Sequence, residues 1–336
     1  KKLIILSLLL FTYISIGQTS QKIYDIIDSI SSKRIEKDIQ TLVNFGTRNT
    51  FSDTISNTRG IGAARRWIKS EFDKVSSNCN NCLEVFYQNN IVKEDGRRIF
   101  KDVNVVNVVA IQRGTTYPNR YVIMSGDIDS RVTDANDATS DSPGANDNAS
   151  GMAGTIEAAR VLSNYSFENS IIYVGLSGEE QGLYGGKGLA EYAKENDWDI
   201  IGVLNNDMIG NIEGVDGVID NRSFRIFSEP VPPNETERER NARRFYGGEV
   251  DGISRQLARY IHKTTKTYMP EMNPMMTLNM CDFCSHERSG CGAQPVLVDS
   301  LNLDNMDSDQ KNSVVACDKY ISPVDVLKER FHDPSL

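Results

Sequence analysis

The reactive side chains of this sequence are carboxylates grouped in four short segments. Asp127 and Asp129 stand two apart in Ser125-Gly126-Asp127-Ile128-Asp129-Ser130, and Asp147 lies in Pro143-Gly144-Ala145-Asn146-Asp147-Asn148-Ala149-Ser150-Gly151. Glu179 and Glu180 are adjacent in Ser177-Gly178-Glu179-Glu180-Gln181-Gly182, and Asp207 falls in Asn205-Asn206-Asp207-Met208-Ile209-Gly210. On an extended strand Asp127 and Asp129 project to one face while Ile128 points to the other. Taken singly, these aspartates read as turn residues or, for Asp147, as a helix cap. The Glu179–Glu180 pair is sharper. Two neighbouring carboxylates after a buried strand are costly to keep ionised unless one is protonated or a cation lies close. A metal-dependent hydrolase needs both roles, a ligand for the ion and a general base that takes a proton from metal-bound water. The competing reading is a solvated pair on an exposed loop.

Histidine is scarce, with only His262, His286 and His332. His262 falls in a helical pattern and reads as surface or structural, and His332 reads as solvated. His286, after Cys284-Ser285 and ahead of the apolar Pro295–Val298 run, is the best imidazole ligand candidate. A His-Glu-x-x-His helix is absent because position 290 is Gly, and no Gly-x-Ser-x-Gly elbow marks a serine hydrolase. The glycines from 182 to 188 are not followed by the Lys-Ser or Lys-Thr of a phosphate loop.

The segments that must position these groups are legible from their periodicity. Tyr121–Met124, Ile171–Leu176 and Ile200–Leu204 are short apolar runs, each ending in a Gly/Ser/Asn/Asp cluster, the pattern of a buried strand entering a loop. If they are parallel, their acidic ends gather along the sheet edge where α/β folds bind ligands, and the converging carboxylates need a cation. Residues 22–45 and 61–75 carry apolar side chains at helical spacing, with a polar loop from Gly46 to Gly60 between them. Leu83–Asn89 and Val103–Arg113 read as strands, and Tyr117-Pro118-Asn119 predicts a hairpin joining the second to the Tyr121 strand, hence a mixed sheet. Helices are expected after Ser150, with Asn148 or Ser150 as cap, from Leu183 to Asn196, and from about Gly252 to Thr265. The polar stretch 221–248 reads as an inserted excursion, perched over the site.

The chain starts Lys1-Lys2, runs apolar from Leu3 to Ile16 and carries small residues at Ser15 and Gly17, the pattern of a secretory signal peptide cleaved after Gly17. The run falls short of the ~20 apolar residues of a membrane span, so a secreted or periplasmic protein without a stable membrane anchor is expected. Removing Lys1 and Lys2 takes the formal net charge from −9 to −11. An acidic surface without a basic block argues against a nucleic-acid partner. Six cysteines in an exported chain favour disulfides; Cys79 and Cys82 form a Cys-x-x-Cys, and a zinc knuckle at 281–291 is the sharper alternative for the later cluster. The expected organisation is a signal peptide (1–17), one catalytic region (18–298) and a tail without an assigned role (299–336).

The Pro-Gly-Ala-Asn-Asp-Asn-Ala-Ser-Gly, Gly-Glu-Glu-Gln-Gly-Leu-Tyr-Gly and Asn-Asp-Met-Ile-Gly segments, in that order, resemble the zinc aminopeptidases with two co-catalytic ions. That family includes bacterial leucyl aminopeptidases and, on the same fold, glutaminyl cyclases. The resemblance is strongest from Gly46 to Gly210. It implies an α/β fold, a three-layer α/β/α sandwich with a mixed, mainly parallel eight-stranded sheet. It further implies that Asp147 bridges two zinc ions, that Asp207 completes one shell and Glu180 and His286 the other, that Glu179 is the general base and that Asp129 orients residue 127. The family's His-x-Asp is Asp127-x-Asp129 here, so Asp127 coordinates as an anion, and the carboxylate-rich shell shifts preference toward manganese or magnesium, or toward a single ion. The implied activity is removal of the N-terminal residue from peptides. Cyclisation of N-terminal Gln by a glutaminyl cyclase, or a non-catalytic binding protein with a degraded metal site, are the alternatives.

Overall fold

A computed structural model of the chain describes residues 19–214, 217–228, 236–246, 252–278, 295–297 and 315–317. The signal-peptide expectation, His286 and the zinc-knuckle alternative all fall outside the described residues. The chain forms two units, one up to Ile219 and one from Asp220.

The first unit runs α1 (Gln21–Asp28), α2 (Ser32–Val43), α3 (Gly60–Asn78), β1 (Leu83–Val92), β2 (Val103–Gln112), β3 (Tyr117–Asp127), α4 (Gly151–Leu162), β4 (Asn169–Leu176), α5 (Tyr184–Glu195) and β5 (Asp199–Asn206). The five strands form one mixed sheet in the order β1-β2-β4-β3-β5. β1 and β2 are antiparallel, as are β2 and β4, whereas β3 runs parallel to both β4 and β5. Alternation along the strands splits the core into two layers. Val108, Ala110 and Tyr173 face Ile61, Ile68, Phe72, Met152 and Ile156 of α3 and α4. Val109, Ile111, Tyr121, Ile123, Ile172 and Val174 face Leu189 of α5. Helices therefore cover both faces, as a three-layer sandwich requires. α3 shows why: Ile61, Ala64, Ile68, Phe72 and Val75 recur every three to four residues and all are buried.

Three expectations are corrected. The sheet has five strands among the described residues rather than eight, because β6 (Ser223–Ser228) and β7 (Asn273–Leu278) of the second unit pair in parallel with each other. β2 and β3 are not a hairpin. β4 lies between them, and Tyr117 and Pro118 belong to β3 itself, with a register shift between Tyr117 and Tyr121; the hairpin is β1–β2. The helical pattern at 22–45 breaks at Ser29–Ser31, where the Ser31 side chain caps α2 by accepting from the Arg34 amide.

The second unit also contains α6 (Glu237–Tyr246) and α7 (Ile253–Tyr268), and the stretch 221–248 read as an inserted excursion holds a strand and a helix. α7 buries Ala258, and its Arg255 donates to Ser228 Oγ at 3.3 Å. A short antiparallel pair, β8 (Pro295–Leu297) and β9 (Val315–Cys317), follows. Cys79 and Cys82 are disulfide-bonded at the end of α3. Among the described residues no helix is long and apolar enough to cross a membrane.

The strand–helix join behind the acidic segments has no spare room. A Cβ on Gly126, near the end of β3, would lie 2.6 Å from the Gly151 carbonyl carbon, and one on Gly151 would lie 2.0 Å from the Asn206 carbonyl oxygen. Both contacts are backbone, which cannot swing aside. Gly151→Ala is therefore expected to destabilise the chain by roughly 1–3 kcal/mol, read as a lower urea midpoint; an unchanged midpoint would contradict this packing.

Candidate active site

Register brings the acidic segments together. In the parallel pairs Asp127 lies opposite Leu176, and Gly126 lies opposite Asn206. β3, β4 and β5 thus end at nearly the same height, and the residues that follow them, Ile128–Ser130, Ser177–Glu180 and Asp207, leave the sheet along one edge. Ile128 is buried in the α3–α4 layer, which turns its neighbours Asp127 and Asp129 away from that layer.

Asp129 holds the site in place. Its side chain is buried and accepts the Glu179 amide at 3.2 Å, the Glu180 amide at 3.1 Å and the Thr50 hydroxyl at 3.3 Å. It therefore fixes the backbone of both glutamates. Asp127, also buried, accepts from Asn148 Nδ2 at 3.0 Å. The same amide donates to the Asn206 carbonyl at 2.9 Å, while Asn148 Oδ1 accepts from the amides of Gly151 at 3.0 Å and Met208 at 3.3 Å. Asn148 thus joins β3, β5 and the start of α4. It supplies the cap expected of Asn148 or Ser150; Ser150 makes no cap bond and instead accepts the Ile209 amide. Asp147, whose peptide bond to Asn148 is cis, sits in the irregular turn 145–150.

Mutual repulsion marks the cluster. Burial first, then Asp129 and farther Glu179 and Asp207, push Asp127 up to about 8 against the opposing hydrogen bond from Asn148. Burial, reinforced by Asp129, Glu180, Asp207 and Asp147, pushes Glu179 up to about 7. Desolvation together with Asp147 and Glu180 also raises Asp207. Asp127, Asp129, Asp147, Glu179, Glu180 and Asp207 are therefore linked, each to at least one other, by electrostatic interaction. Among the described residues no group of three or more His, Cys, Asp or Glu side chains is placed to hold a metal ion. The donor set is nevertheless, in its chemistry, of a kind that divalent cations accept. It is an excess of carboxylates whose ionisation is opposed by their own charge, with donor oxygens of the hard type such ions accept.

Several residues of the site escaped the sequence reading. Arg48, in a stretch expected to be a polar loop, is fully buried. It donates to the carbonyls of Ile128 (2.8 Å), Leu42 (3.0 Å), Pro143 (2.6 Å) and Gly144 (3.0 Å), tying the Asp129 and Asp147 loops to α2. Burial lowers its guanidinium to about 10, opposed by the charges of Asp129 and Asp147. Arg65 is buried too and donates to Ser177 Oγ at 3.3 Å. Arg131 ion-pairs with Glu180. Only local composition was visible in the sequence, and there Arg48 looks like any loop arginine.

Comparison with known proteins adds the decisive observation: residues 107–292 match the profile of peptidase family M28. The chain belongs to that family. It is 41% identical over 249 residues to a probable zinc metalloprotease of Pyrenophora teres f. teres, covering 74% of this chain and 51% of that protein. A probable zinc metalloprotease of Leptosphaeria maculans is 40% identical over 253 residues, 75% of this chain and 58% of its own length. The chain thus spans about half the length of these curated relatives. The LapA aminopeptidase of Legionella pneumophila shares the fold at a TM-score of 0.54 and 17% identity, over 78% of this chain and 58% of that one. A glutaminyl cyclase of Bacteroides thetaiotaomicron does so at 0.51 and 14%, over 74% and 77%. The M28 family of this chain is one of zinc metallopeptidases, as the resemblance read from the sequence implied.

The repulsion has a consequence for stability. Free Asp and Glu titrate at ~4, so between that pH and the raised values of about 8 for Asp127 and about 7 for Glu179 the folded chain holds more protons than the unfolded one. Stability from this source is present below pH ~4 and lost as pH rises through the folded values. Chelator-treated protein should therefore melt at progressively lower temperature from pH 5 to 9, and Asp127→Asn should flatten the slope. A melting temperature that climbs toward pH 8 would contradict the cluster.

Proposed function

We propose that this chain carries the catalytic centre of an exported, metal-dependent aminopeptidase that removes the N-terminal residue of peptides. The observation that supports it most is Glu179. It is a carboxylate raised to about 7 at the edge of an M28 sheet, with its backbone held by Asp129. A general base works best when its pKa lies near the operating pH.

Asp127, Asp147, Glu180 and Asp207 would hold two divalent ions, zinc or manganese, with His286 as the further ligand proposed on sequence pattern. When bound, such ions acidify water and polarise the scissile carbonyl. Glu179 accepts the proton of the attacking water on its carboxylate and delivers it to the departing amine. Asp129 acts on this step through the backbone, since its two oxygens accept the amides of Glu179 and Glu180 and set where both side chains start. Arg48 fixes the Asp129 loop from beneath through the Ile128 carbonyl. The acidic edge also favours a substrate's protonated α-amine, which restricts cleavage to the first peptide bond. Export is supported by the apolar run after Lys1-Lys2.

Glu179→Gln is expected to lower kcat/KM on aminoacyl anilides by about 10²–10⁴-fold while metal content stays at the wild-type level. Undiminished turnover would refute the base assignment. A glutaminyl cyclase is the second reading, favoured by Asp127 standing where the two-ion pattern has a neutral imidazole. Weighing the products of a Gln-initiated peptide separates the two: hydrolysis releases free Gln, whereas cyclisation loses ammonia and keeps the chain whole.

A further inference from the structure

Glu180 is held at every polar position of its backbone and at one oxygen of its side chain. Its amide donates to Asp129 Oδ2 at 3.1 Å, and its carbonyl accepts from Arg98 Nη1 at 2.7 Å. Its carboxylate Oε2 accepts from Arg131 Nε. Arg131 is itself braced, because its Nη1 donates to the carbonyls of Thr133 at 3.2 Å and Val132 at 3.4 Å on its own loop. Residues 129 and 131 of a single loop therefore grip the backbone and the side chain of one glutamate. The ion pair is not an ordinary surface contact, since the Glu180 side chain is only 13% exposed against 35% for Arg131.

We propose that Arg131 is a positioning residue for Glu180: it occupies Oε2 and leaves Oε1 free for a divalent cation. The proposal rests on the metallopeptidase reading above. A single Nε contact suits this task. It anchors one oxygen of the carboxylate without occupying the other, whereas a two-pronged guanidinium contact would consume both. A flexible glutamate would instead have to be ordered when the ion arrives, at a cost in affinity. Groups that orient a ligand in this way usually change metal affinity when removed. The contrary role, a built-in cation that competes with the metal for Glu180, makes the opposite prediction.

The test is zinc affinity, measured by competition with a chromogenic chelator on the full chain, for wild type, Arg131→Ala, Arg131→Lys and Glu180→Ala. Arg131→Ala is expected to bind zinc about 10–100-fold more weakly, Arg131→Lys to recover part of the loss, and the metal-free melting temperatures of the Arg131 variants to stay close to wild type. Unchanged or tighter binding in Arg131→Ala, with Glu180→Ala weakened, would overturn the Arg131 proposal alone. That proposal also falls if Arg131→Lys binds no better than Arg131→Ala. Wild-type affinity in Glu180→Ala would overturn the ligand assignment itself, and the Arg131 proposal with it.

Discussion

Burial of carboxylates beside one another, desolvation first and mutual repulsion second, is the constraint around which the first unit is arranged. Three parallel strands deliver acidic residues to one edge at the same height, and burial there makes Asp127, Asp129, Glu179 and Asp207 harder to ionise. The chain meets that strain in two ways that are visible in its hydrogen bonds. Beneath the site, Arg48 and Arg65 are buried cations close enough to Asp129 to feel its charge. At the site, backbone amides and the Asn148 side chain donate into Asp129 and Asp127. These supports fix where the carboxylates stand, yet Asp127, Glu179 and Asp207 all remain harder to ionise than free acids. The divalent cation proposed for this edge would relieve the part of the strain that these internal contacts leave.

The scaffold serves this end closely. Gly126 and Gly151 allow the backbones of β3 and α4 to touch, which brings the 145–150 turn and Asp147 to the strand ends. Asn148 then locks that turn to both β3 and β5. The loop before α3, although polar in sequence, is drawn inside: Thr47, Arg48, Asn49 and Thr50 are buried. Its role is to supply the hydrogen-bond donors that an irregular, carbonyl-rich edge needs, because buried carbonyls without partners are costly.

Much of this was legible in the residues. Apolar runs ending in polar clusters marked β3, β4 and β5, because both signals are local: a buried strand and the turn residues that end it; that the three run parallel was a condition the register had to supply. The pairing of β2 was not legible. Tyr117-Pro118-Asn119 has the composition of a tight turn, but strand order is a long-range property, and β4 takes the place beside β2. The buried loop was missed for the same reason, since the burial of Arg48 depends on carbonyls some 80 to 96 positions away. The role of Arg131 was invisible because an arginine two residues after Asp129 has no signature until Glu180 is seen to face it.

Placing the chain in M28 ties this electrostatic picture to a family of zinc metallopeptidases. The most direct measurement is calorimetric titration of metal-free protein with zinc or manganese at pH 7, in two buffers of different ionisation enthalpy. Carboxylates that hold protons against their neighbours must give them up to an arriving cation, so binding should release roughly one proton or more per chain, and the release should fade toward pH 9. Failure to bind either ion, or binding with no proton exchanged at pH 7, would contradict the account.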